Sequence, residues 1–418
     1  MATSPTLRPG FSARPSATGG GRRRRTKLVA SSLFPDPRDG RPPSEGVPTP
    51  PRASCSSGDA TNPIGGIARL AASSPLVDEK RQTEYYLLPV KSLLNRCTSE
   101  RVPFPWTVNP YRGCEFGCRY CYARYTHEYM ELGAADFERK IYVKANIGAL
   151  AARELSAPGL RGQHIAIGTA TDPYQPAEEE FGATRAVLEA MARQEGLSVS
   201  ITTKSNRVVR DIELLRRVAE KSTISVNLSI TTLHQRLARR LEPRAPRPDL
   251  RLAAVAKLRE AGIAAGVFVM PVLPGITDRE NDLDALARAA RDAGAQWLCA
   301  SVLFLMPSSL EVFLPFLEKE FPRLARRYRE WYTRNAYAPE AYRKEISARF
   351  AALRAKYGMG VRPELPTQFH CRLAQFSLGF PQVETLPLQL LNGDASGDSL
   401  RLHRGIDGCL PARDFTHL

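Results

Sequence analysis

The sequence predicts an α/β fold: a partial (β/α)6 barrel of TIM type, with a disordered N-terminal tail and a helical C-terminal extension. Three observations support this prediction. Between about residues 105 and 305, short β-branched runs alternate with amphipathic helical stretches, which is typical of βαβ units and a parallel sheet. The first 80 residues are rich in proline, serine and glycine. Beyond residue 305 the apolar periodicity is that of helices alone.

Residues 1–80 are predicted to be a basic, disordered tail. They contain 12 of the 33 prolines and 12 Lys or Arg against six Asp or Glu, including the run Arg22–Arg25. Such a segment buries too little apolar surface to offset the entropy of ordering the chain. The first 35 residues contain no acid, which loosely fits an organellar transit peptide, but no amphipathic helical stretch accompanies them. A tail on a cytoplasmic protein is the preferred interpretation.

The core domain is predicted at residues 81–305. Strands are expected at 164–168, 197–203, 222–230, 264–272 and 297–305. Helices are expected between them at 182–194, 208–220, 248–261 and 280–293. A sixth strand is expected before or around a cysteine-rich loop near residue 114. Six such strands favour a partial barrel over a flat doubly wound sheet.

One strand bears directly on the barrel interior. Ser225, Asn227 and Ser229 fall on one face of the strand at 222–230, and apolar residues fall on the other. A parallel strand buried on both faces is normally apolar throughout. The polar row therefore predicts a face that lines a cavity holding something polar, with a solvated edge strand as the alternative.

The C-terminal region is predicted to contain a helical extension at 306–365 and a weakly ordered tail at 366–418. Ser308 followed by Glu311 fits a capping box that opens a helix at 310–327. Residues 338–357 have the pattern of a further charged helical pair.

Charge and cysteine usage restrict the class of protein. The formal net charge is +16, most of it outside the tail, which favours a polyanionic partner such as nucleic acid, although arginine-rich composition also arises from GC-rich coding. The sequence contains no run of about 18 apolar residues, so no membrane span is predicted. The eight cysteines are unevenly placed, which indicates reduced thiols in a cytoplasmic protein rather than a disulfide framework.

The most informative stretch is NPYRGCEFGCRYCY at residues 109–122. Cys114, Cys118 and Cys121 have C-x3-C-x2-C spacing on one glycine-containing loop, which can fold around a metal centre. Iron–sulfur clusters are held by cysteine thiolates, usually four for a [4Fe–4S] cluster, so three local thiolates leave one iron open to a small molecule. Zinc is the rival, with His127 as the remaining ligand, but no second cysteine pair accompanies the triplet.

With Tyr120 as its aromatic position, this motif resembles the signature of radical S-adenosylmethionine (SAM) enzymes. The resemblance covers about 105–305. It implies a [4Fe–4S] cluster whose open iron binds SAM, and reductive cleavage of SAM to a 5′-deoxyadenosyl radical that abstracts hydrogen from substrate. It also implies a reducing partner of flavodoxin or ferredoxin type.

Within this superfamily the chain most resembles the spore photoproduct lyase-like group, and above all uncharacterised bacterial members. The similar stretches are residues 109–124, GTATDPYQPAE at 168–178, ITTKS at 201–205, SVNLS at 225–229, RLEPRAPRP at 240–248 and MPVLPGITD at 270–278. The lyase itself uses a hydrogen-donor cysteine just past the second barrel strand. Here Gly168–Asp172 contains none.

The resemblance also assigns cofactor contacts. Tyr120 would contact the adenine of SAM, and Thr169, Thr171 and Asp172 would hold the methionyl amine. Lys204 and Ser205 would approach the SAM carboxylate or ribose, with Ser225 and Asn227 as further contacts. Ordinary alternatives are a core aromatic for Tyr120, a solvated strand-end lysine for Lys204 and a helix cap for Asp172. Arg240 and Glu242 are either an ion pair or surface charges.

Three functions remain open from the sequence. The first is a radical SAM enzyme acting on nucleic acid or another macromolecule. The second is a radical SAM enzyme acting on a small metabolite or peptide. The third is a regulator whose cysteines hold a sensing cluster or zinc without SAM turnover. No catalytic residue toward the substrate is predicted.

Overall fold

The computed structural model describes residues 66–80, 83–98 and 102–361. Its strands are β1 Leu76–Lys80, β2 Thr83–Leu88, β3 Leu94–Arg96, β4 Trp106–Val108, β5 Tyr111–Arg112, β6 Lys140–Lys144, β7 His164–Ile167, β8 Ser198–Thr203, β9 Thr223–Ser229, β10 Ala264–Val272 and β11 Leu298–Val302. Its α-helices are α1 Gly66–Ala72, α2 Tyr125–Glu128, α3 Ile147–Leu155, α4 Glu178–Phe181, α5 Ala183–Met191, α6 Ile212–Ala219, α7 Gln235–Leu241, α8 Pro248–Glu260, α9 Glu280–Asp292, α10 Pro307–Glu320, α11 Pro322–Tyr332 and α12 Glu340–Tyr357. None of the helices in these ranges is long and apolar enough to cross a bilayer.

Six parallel strands form the main sheet in the order β4-β7-β8-β9-β10-β11, and β3 adds an antiparallel edge beside β4. The consecutive order follows the chain, and helices connect most neighbouring strands. Because crossovers between neighbouring parallel strands share one hand, their helices cover the same face of the sheet and leave the other face as an interior. This arrangement confirms the predicted α/β class with a partial (β/α)6 barrel, whose first strand is β4.

The polar row on β9 is buried. The side chains of Ser225, Asn227 and Ser229 are at most 6% exposed. The Asn227 amide oxygen accepts the indole N–H of Trp297 at 3.0 Å, and its amide nitrogen donates to the Ile201 carbonyl at 3.3 Å. At the level of Asn227, the polar face of β9 therefore holds an indole ring in place.

A second, four-stranded sheet has the order β1-β2-β6-β5 and was not predicted. It changes the predicted tail boundary, because α1 and β1 lie within residues 66–80, where disorder was expected. Ala71 of α1 packs with Leu88, Met130 and Tyr142, all of them buried. The apolar surface that orders this segment comes from the rest of the domain, so its own composition gave no signal. The remainder of the predicted tail, 1–65, and the C-terminal tail, 366–418, lie outside the described residues.

The C-terminal extension is helical, but its details differ from the prediction. The first helix, α10, begins at Pro307 after Met306, and the buried Ser308 hydroxyl has no hydrogen-bond partner, so the predicted capping box is wrong. Proline at the first helical position lacks the N–H that would need a cap. A break at Phe321 separates α10 from α11, and the predicted pair at 338–357 is one helix, α12, which begins at Glu340.

Candidate functional site

The cysteine triplet lies on the loop that follows β4 and β5, at the carboxyl end of the barrel strands. Gly113 and Gly117 have φ angles of 83° and 61°, which favour glycine. A Cβ atom on Gly113 would lie 2.7 Å from the Lys140 carbonyl oxygen, so this position also has no room for a side chain. Glycine is therefore required where the chain turns into the loop, as the motif suggested.

The three thiols are buried close enough together to influence one another electrostatically. Cys114 and Cys118 are each 8% exposed, and Cys121 is half-buried. Burial raises the pKa of all three thiols, and for Cys114 the charges of Asp172, Cys118 and Cys121 raise it further. The positive charge of Lys204 acts in the opposite direction on Cys118 and Cys121. Without a bound metal these thiols are therefore protonated.

This donor set fits an iron–sulfur cluster. A metal centre supplies the positive charge that buried thiolates need, and cysteine thiolates are the usual ligands of such clusters. No three His, Cys, Asp or Glu side chains in residues 66–80, 83–98 and 102–361 converge closely enough to hold a single metal ion. A [4Fe–4S] cluster does not require that convergence, because each thiolate binds a different iron atom.

His127, considered as a zinc ligand, is a fully buried packing residue. Its Nε2 bonds to the Lys140 carbonyl at 3.0 Å, and its ring lies 5.2 Å from the ring of Phe137. Burial lowers the pKa of His127 to about 4, so the ring is neutral at physiological pH. Because a carbonyl can only accept, Nε2 carries the proton, and the buried Nδ1 has no hydrogen-bond partner. His127 nevertheless joins no group of three ligand side chains in the part of the chain that the structure describes.

Tyr120 joins a buried network with Glu242, Thr231 and Arg251, and the sequence had singled out only Glu242 among these three partners. Its hydroxyl donates to the Glu242 carboxylate and lies 3.0 Å from the Thr231 hydroxyl. The other oxygen of Glu242 accepts from Arg251 at 2.5 Å, and both side chains are about 1% exposed. Burial alone would raise the pKa of Glu242, but the charges of Arg251 and Lys204 hold it below its ordinary value. The network holds the side chain of Tyr120 in place, and Tyr120 lies between Cys118 and Cys121 in the chain.

The similar stretch RLEPRAPRP was the available signal for Glu242, but Arg240 was the wrong partner to consider. Arg240 pairs with Glu320 at the protein surface, whereas Glu242 points inward to Arg251. Arg251 lies one turn into α8, beyond the motif. Sequence spacing alone did not indicate that α8 contributes to the site.

Lys204 lies at the carboxyl end of β8, beside the cysteine loop. Its Nζ is 5.8 Å from the centre of the Tyr120 ring. Burial alone would lower the pKa of Lys204, but the charges of Glu242 and Cys118 raise it, so the side chain is charged. A cation held over an aromatic ring and next to the thiols is placed to attract an anionic group.

Asp172 connects the ends of β7 and β8. Its carboxylate accepts from the Thr203 hydroxyl at 2.6 Å, the Tyr174 N–H at 2.9 Å and the Lys204 N–H at 2.7 Å. Burial raises the pKa of Asp172, and these hydrogen bonds oppose that shift. The carboxylate thus fixes the position of Lys204 relative to Cys114.

The remaining predicted residues have well-defined positions. The Thr171 hydroxyl donates to the Gly113 carbonyl at 2.5 Å, which ties the β7 loop to the cysteine loop. Thr169 bonds through its hydroxyl to Asn109. The Ser205 hydroxyl accepts from the Arg207 N–H at 3.2 Å and caps a short 3-10 helix. Tyr120, Lys204 and Asp172 therefore lie together with the cysteines, while Ser225 and Asn227 lie within β9. Their contacts with SAM remain predictions.

Comparisons with known proteins agree with this geometry. The sequence profile described as "Radical SAM superfamily" matches residues 108–287. Uncharacterised proteins of Mycobacterium tuberculosis and Mycobacterium bovis are each 39% identical over 269 residues, covering 64% of this chain and 79% of theirs. An uncharacterised protein of Methanocaldococcus jannaschii is 31% identical over 175 residues, covering 42% and 63%. Among solved structures, a variant of spore photoproduct lyase has a TM-score of 0.51 at 16% identity, covering 66% of this chain and 80% of that chain, which is a likeness of fold.

Proposed function

The chain belongs to the radical SAM superfamily, and from that premise we propose that it is a radical SAM enzyme acting on nucleic acid. Enzymes of this superfamily use a [4Fe–4S] cluster and SAM. One observation carries the radical SAM part of the proposal: three neighbouring thiols, two of them buried and one half-buried, lie beside Lys204 at the carboxyl rim of a partial barrel. Active sites of barrel enzymes form at that rim.

Cys114, Cys118 and Cys121 would hold the cluster. When bound, the cluster supplies an electron that cleaves the C–S bond of SAM and yields a 5′-deoxyadenosyl radical. The protein's own contribution is positioning and charge. Lys204 offsets the negative charge of the thiolates, and the Tyr120–Glu242–Arg251 network keeps the loop rigid and excludes water.

SAM would lie over this loop, between the ends of β7, β8 and β9. Lys204 would attract the SAM carboxylate, and Tyr120 would pack against the adenine. Thr169, Thr171 and Asp172 would border the methionyl amine, and Ser205 would border the carboxylate or ribose. Ser225 and Asn227 lie deeper on β9, where Asn227 already bonds Trp297, so they would form the floor of the pocket. Asp172 accepts three protein hydrogen bonds already, so its part would be to hold Lys204 as well as to attract an amine.

The nucleic-acid substrate is supported by the net charge of +16, which favours phosphate-rich partners. No cysteine follows the second barrel strand within Gly168–Gln175, so the donor route of the lyase is not part of the proposal. The proposal also includes an electron donor of flavodoxin or ferredoxin type, because the cluster requires reduction. It further includes a cytoplasmic location.

Anaerobic reconstitution followed by dithionite and SAM tests the proposal. We expect a brown protein that releases 5′-deoxyadenosine, measured by liquid chromatography. The Cys118→Ala variant should lose that release by more than about 100-fold, since removal of a metal ligand cripples the site.

Cys97→Ala is the matched control, because Cys97 is half-buried but lies outside the loop at the end of β3. It should keep its iron and its activity. A colourless wild-type protein with stoichiometric zinc, or an iron-loaded protein that releases no 5′-deoxyadenosine, would contradict the proposal.

A further inference from the structure

A small cavity lies next to the cysteine loop, on the side of the second sheet. It has about 30 Å³ of room for the centre of a water-sized sphere, roughly twice what one water needs. Its walls come from the ends of β4 and β7, from β3, β5 and β6, and from the start of α2. The lining residues are Asn95, Asn109, Tyr111, Arg112, Thr126, Lys144 and Ala170.

Two cations face this cavity from neighbouring strands. Arg112 of β5 pairs in register with Tyr142 of β6, so Lys144, two residues further along β6, lies diagonally from Arg112 on the same face of the sheet. Lys144 is 5% exposed, and Arg112 is half-buried. Burial, followed by the charge of Arg112, lowers the pKa of Lys144 to about 7. The two like charges therefore destabilise each other in a site that water reaches poorly.

Neither cation has an acidic partner among the residues that the structure describes. Glu154 is the acid whose charge acts on Lys144, but its carboxylate accepts the N–H groups of Leu93 and Leu94 at 2.9 Å each and pairs with Arg153. A buried ammonium without an opposing charge is costly, so Lys144 loses its proton more readily than a surface lysine does. An anion that enters the cavity would remove that cost.

Neutral donors line the same space. Asn95 has an amide nitrogen whose contact with the Leu93 carbonyl is long at 3.4 Å. Asn109 accepts the Ala170 N–H at 2.8 Å, which orients its amide nitrogen toward Thr169. Amide N–H groups together with a guanidinium and an ammonium form the donor set that recognises phosphate oxygens.

The cavity is also joined to the proposed reaction site. Arg112 precedes Cys114 by two residues, and Ala170 packs against the apolar cluster that contains Cys114 and Cys118. Asn109 and Ala170 follow β4 and β7, the first two barrel strands, at the rim where the site lies. A group held here is held at a fixed position relative to the cysteine loop.

We propose that this cavity, through Arg112, Lys144 and Asn95, binds a phosphate group of the substrate and thereby places a nucleotide against the rim of the barrel. The cavity has room for about two water-sized groups, so it would take one or two oxygens of the phosphate, and the rest of the nucleotide would lie at its mouth. The inference rests on the proposed nucleic-acid substrate, and it assigns the part of the site that recognises that substrate.

Binding is measured separately from SAM cleavage, so the two proposals can fail independently. The probe is a short fluorescein-labelled single-stranded DNA, titrated by anisotropy with the anaerobic, cluster-loaded protein over a range of salt. Lys144→Met should weaken binding about tenfold and reduce the salt slope by about one, because one phosphate contact is lost.

Lys140→Met is the matched control, since Lys140 lies on the same strand but pairs with Asp136 and does not line the cavity. Its affinity and salt slope should equal those of the wild type. Equal binding by Lys144→Met and wild type would overturn the inference, even where 5′-deoxyadenosine is released. Stronger competition by poly-glutamate than by an unlabelled oligonucleotide of the same charge would also overturn it, and would indicate an acidic peptide.

A second measurement uses the wild-type protein and does not depend on the folding of a variant. Because its pKa lies near 7, Lys144 should react with an amine-specific acylating reagent at neutral pH faster than surface lysines. The oligonucleotide should slow that reaction, as mapped by peptide mass spectrometry. Protection by inorganic phosphate alone, with none from the oligonucleotide, would show a site for free phosphate and would contradict a substrate subsite.

Discussion

Glu242 balances two buried cations behind the cysteine loop. Its carboxylate pairs with Arg251 and accepts a hydrogen bond from the Tyr120 hydroxyl. Its negative charge also raises the pKa of Lys204. A carboxylate in this position is stabilising only because all of its partners are present, since breaking a buried ion pair leaves a charge without compensation. At the scale of single residues, the position of Tyr120 therefore depends on Glu242.

Replacing Glu242 with glutamine should lower the free energy of unfolding by about 3 kcal/mol, because the Arg251 guanidinium then remains buried without an opposing charge. The measurement is chemical denaturation of the protein before cluster loading. Glu320→Gln, which breaks the surface pair with Arg240, should cost less than about 1 kcal/mol. Equal losses in the two variants would show that burial does not govern the Glu242 pair.

Among the single residues of the site, the sequence predicted those on the loop and at strand ends. The cysteine spacing and the two glycines are local features, because each follows from the turn that the chain must make there. Glu242 and Arg251 belong to segments that are distant from Tyr120 in the chain, and their meeting depends on how α7 and α8 pack. Lys144 was not singled out for the same reason, since the second sheet that carries it was not predicted.

At the scale of elements, the packing of Trp297 against β10 shows why a strand needs a glycine in its interior. Gly266 pairs in register with Asn227, and the Trp297 ring lies directly over it. A Cβ atom on Gly266 would lie 2.3 Å from the ring atoms of Trp297, which is 2% exposed and cannot move aside. The close approach lets the indole N–H reach Asn227.

Gly266→Ala should therefore destabilise the protein by about 2 kcal/mol or more, because overpacking forces the ring or the strand to shift. Near-UV circular dichroism should report the displaced indole, and denaturant unfolding should report the loss. Gly159→Ala serves as the control, since nothing lies within 4 Å of the added atom. A Gly266→Ala protein as stable as the Gly159→Ala protein would refute this account of the contact.

The barrel elements themselves were predictable because their patterns are local and strong. The strands β7 to β11 and the helices α5, α8 and α9 each match a predicted segment within a few residues. The second sheet was missed because β5 has two residues and β1 lies in a segment whose composition indicates disorder. Such strands are stabilised by their partners and carry little periodicity of their own.

At the scale of the whole molecule, the second sheet connects the N-terminal segment to the site. Tyr85 of β2 donates a hydrogen bond at 2.9 Å to Glu115, which lies within the cysteine loop between Cys114 and Phe116. The β1 strand covers the outer edge of β2, and α1 packs beneath it on Leu88 and Tyr142. Loss of β1 would leave β2 as an exposed edge with unpaired backbone groups.

Two truncations separate the tail from this sheet. Removal of residues 1–65 keeps α1 and β1 and should leave the free energy of unfolding unchanged. Removal of residues 1–80 deletes both elements and should cost on the order of 3 kcal/mol, from the apolar surface that α1 buries and the lost β1–β2 pairing. Because Tyr85 then lies on an unsupported edge next to Glu115, the shorter protein should also retain less iron after reconstitution. Equal stability and iron content in the two truncated proteins would mean that α1 and β1 contribute neither to the stability of the protein nor to the support of the cysteine loop.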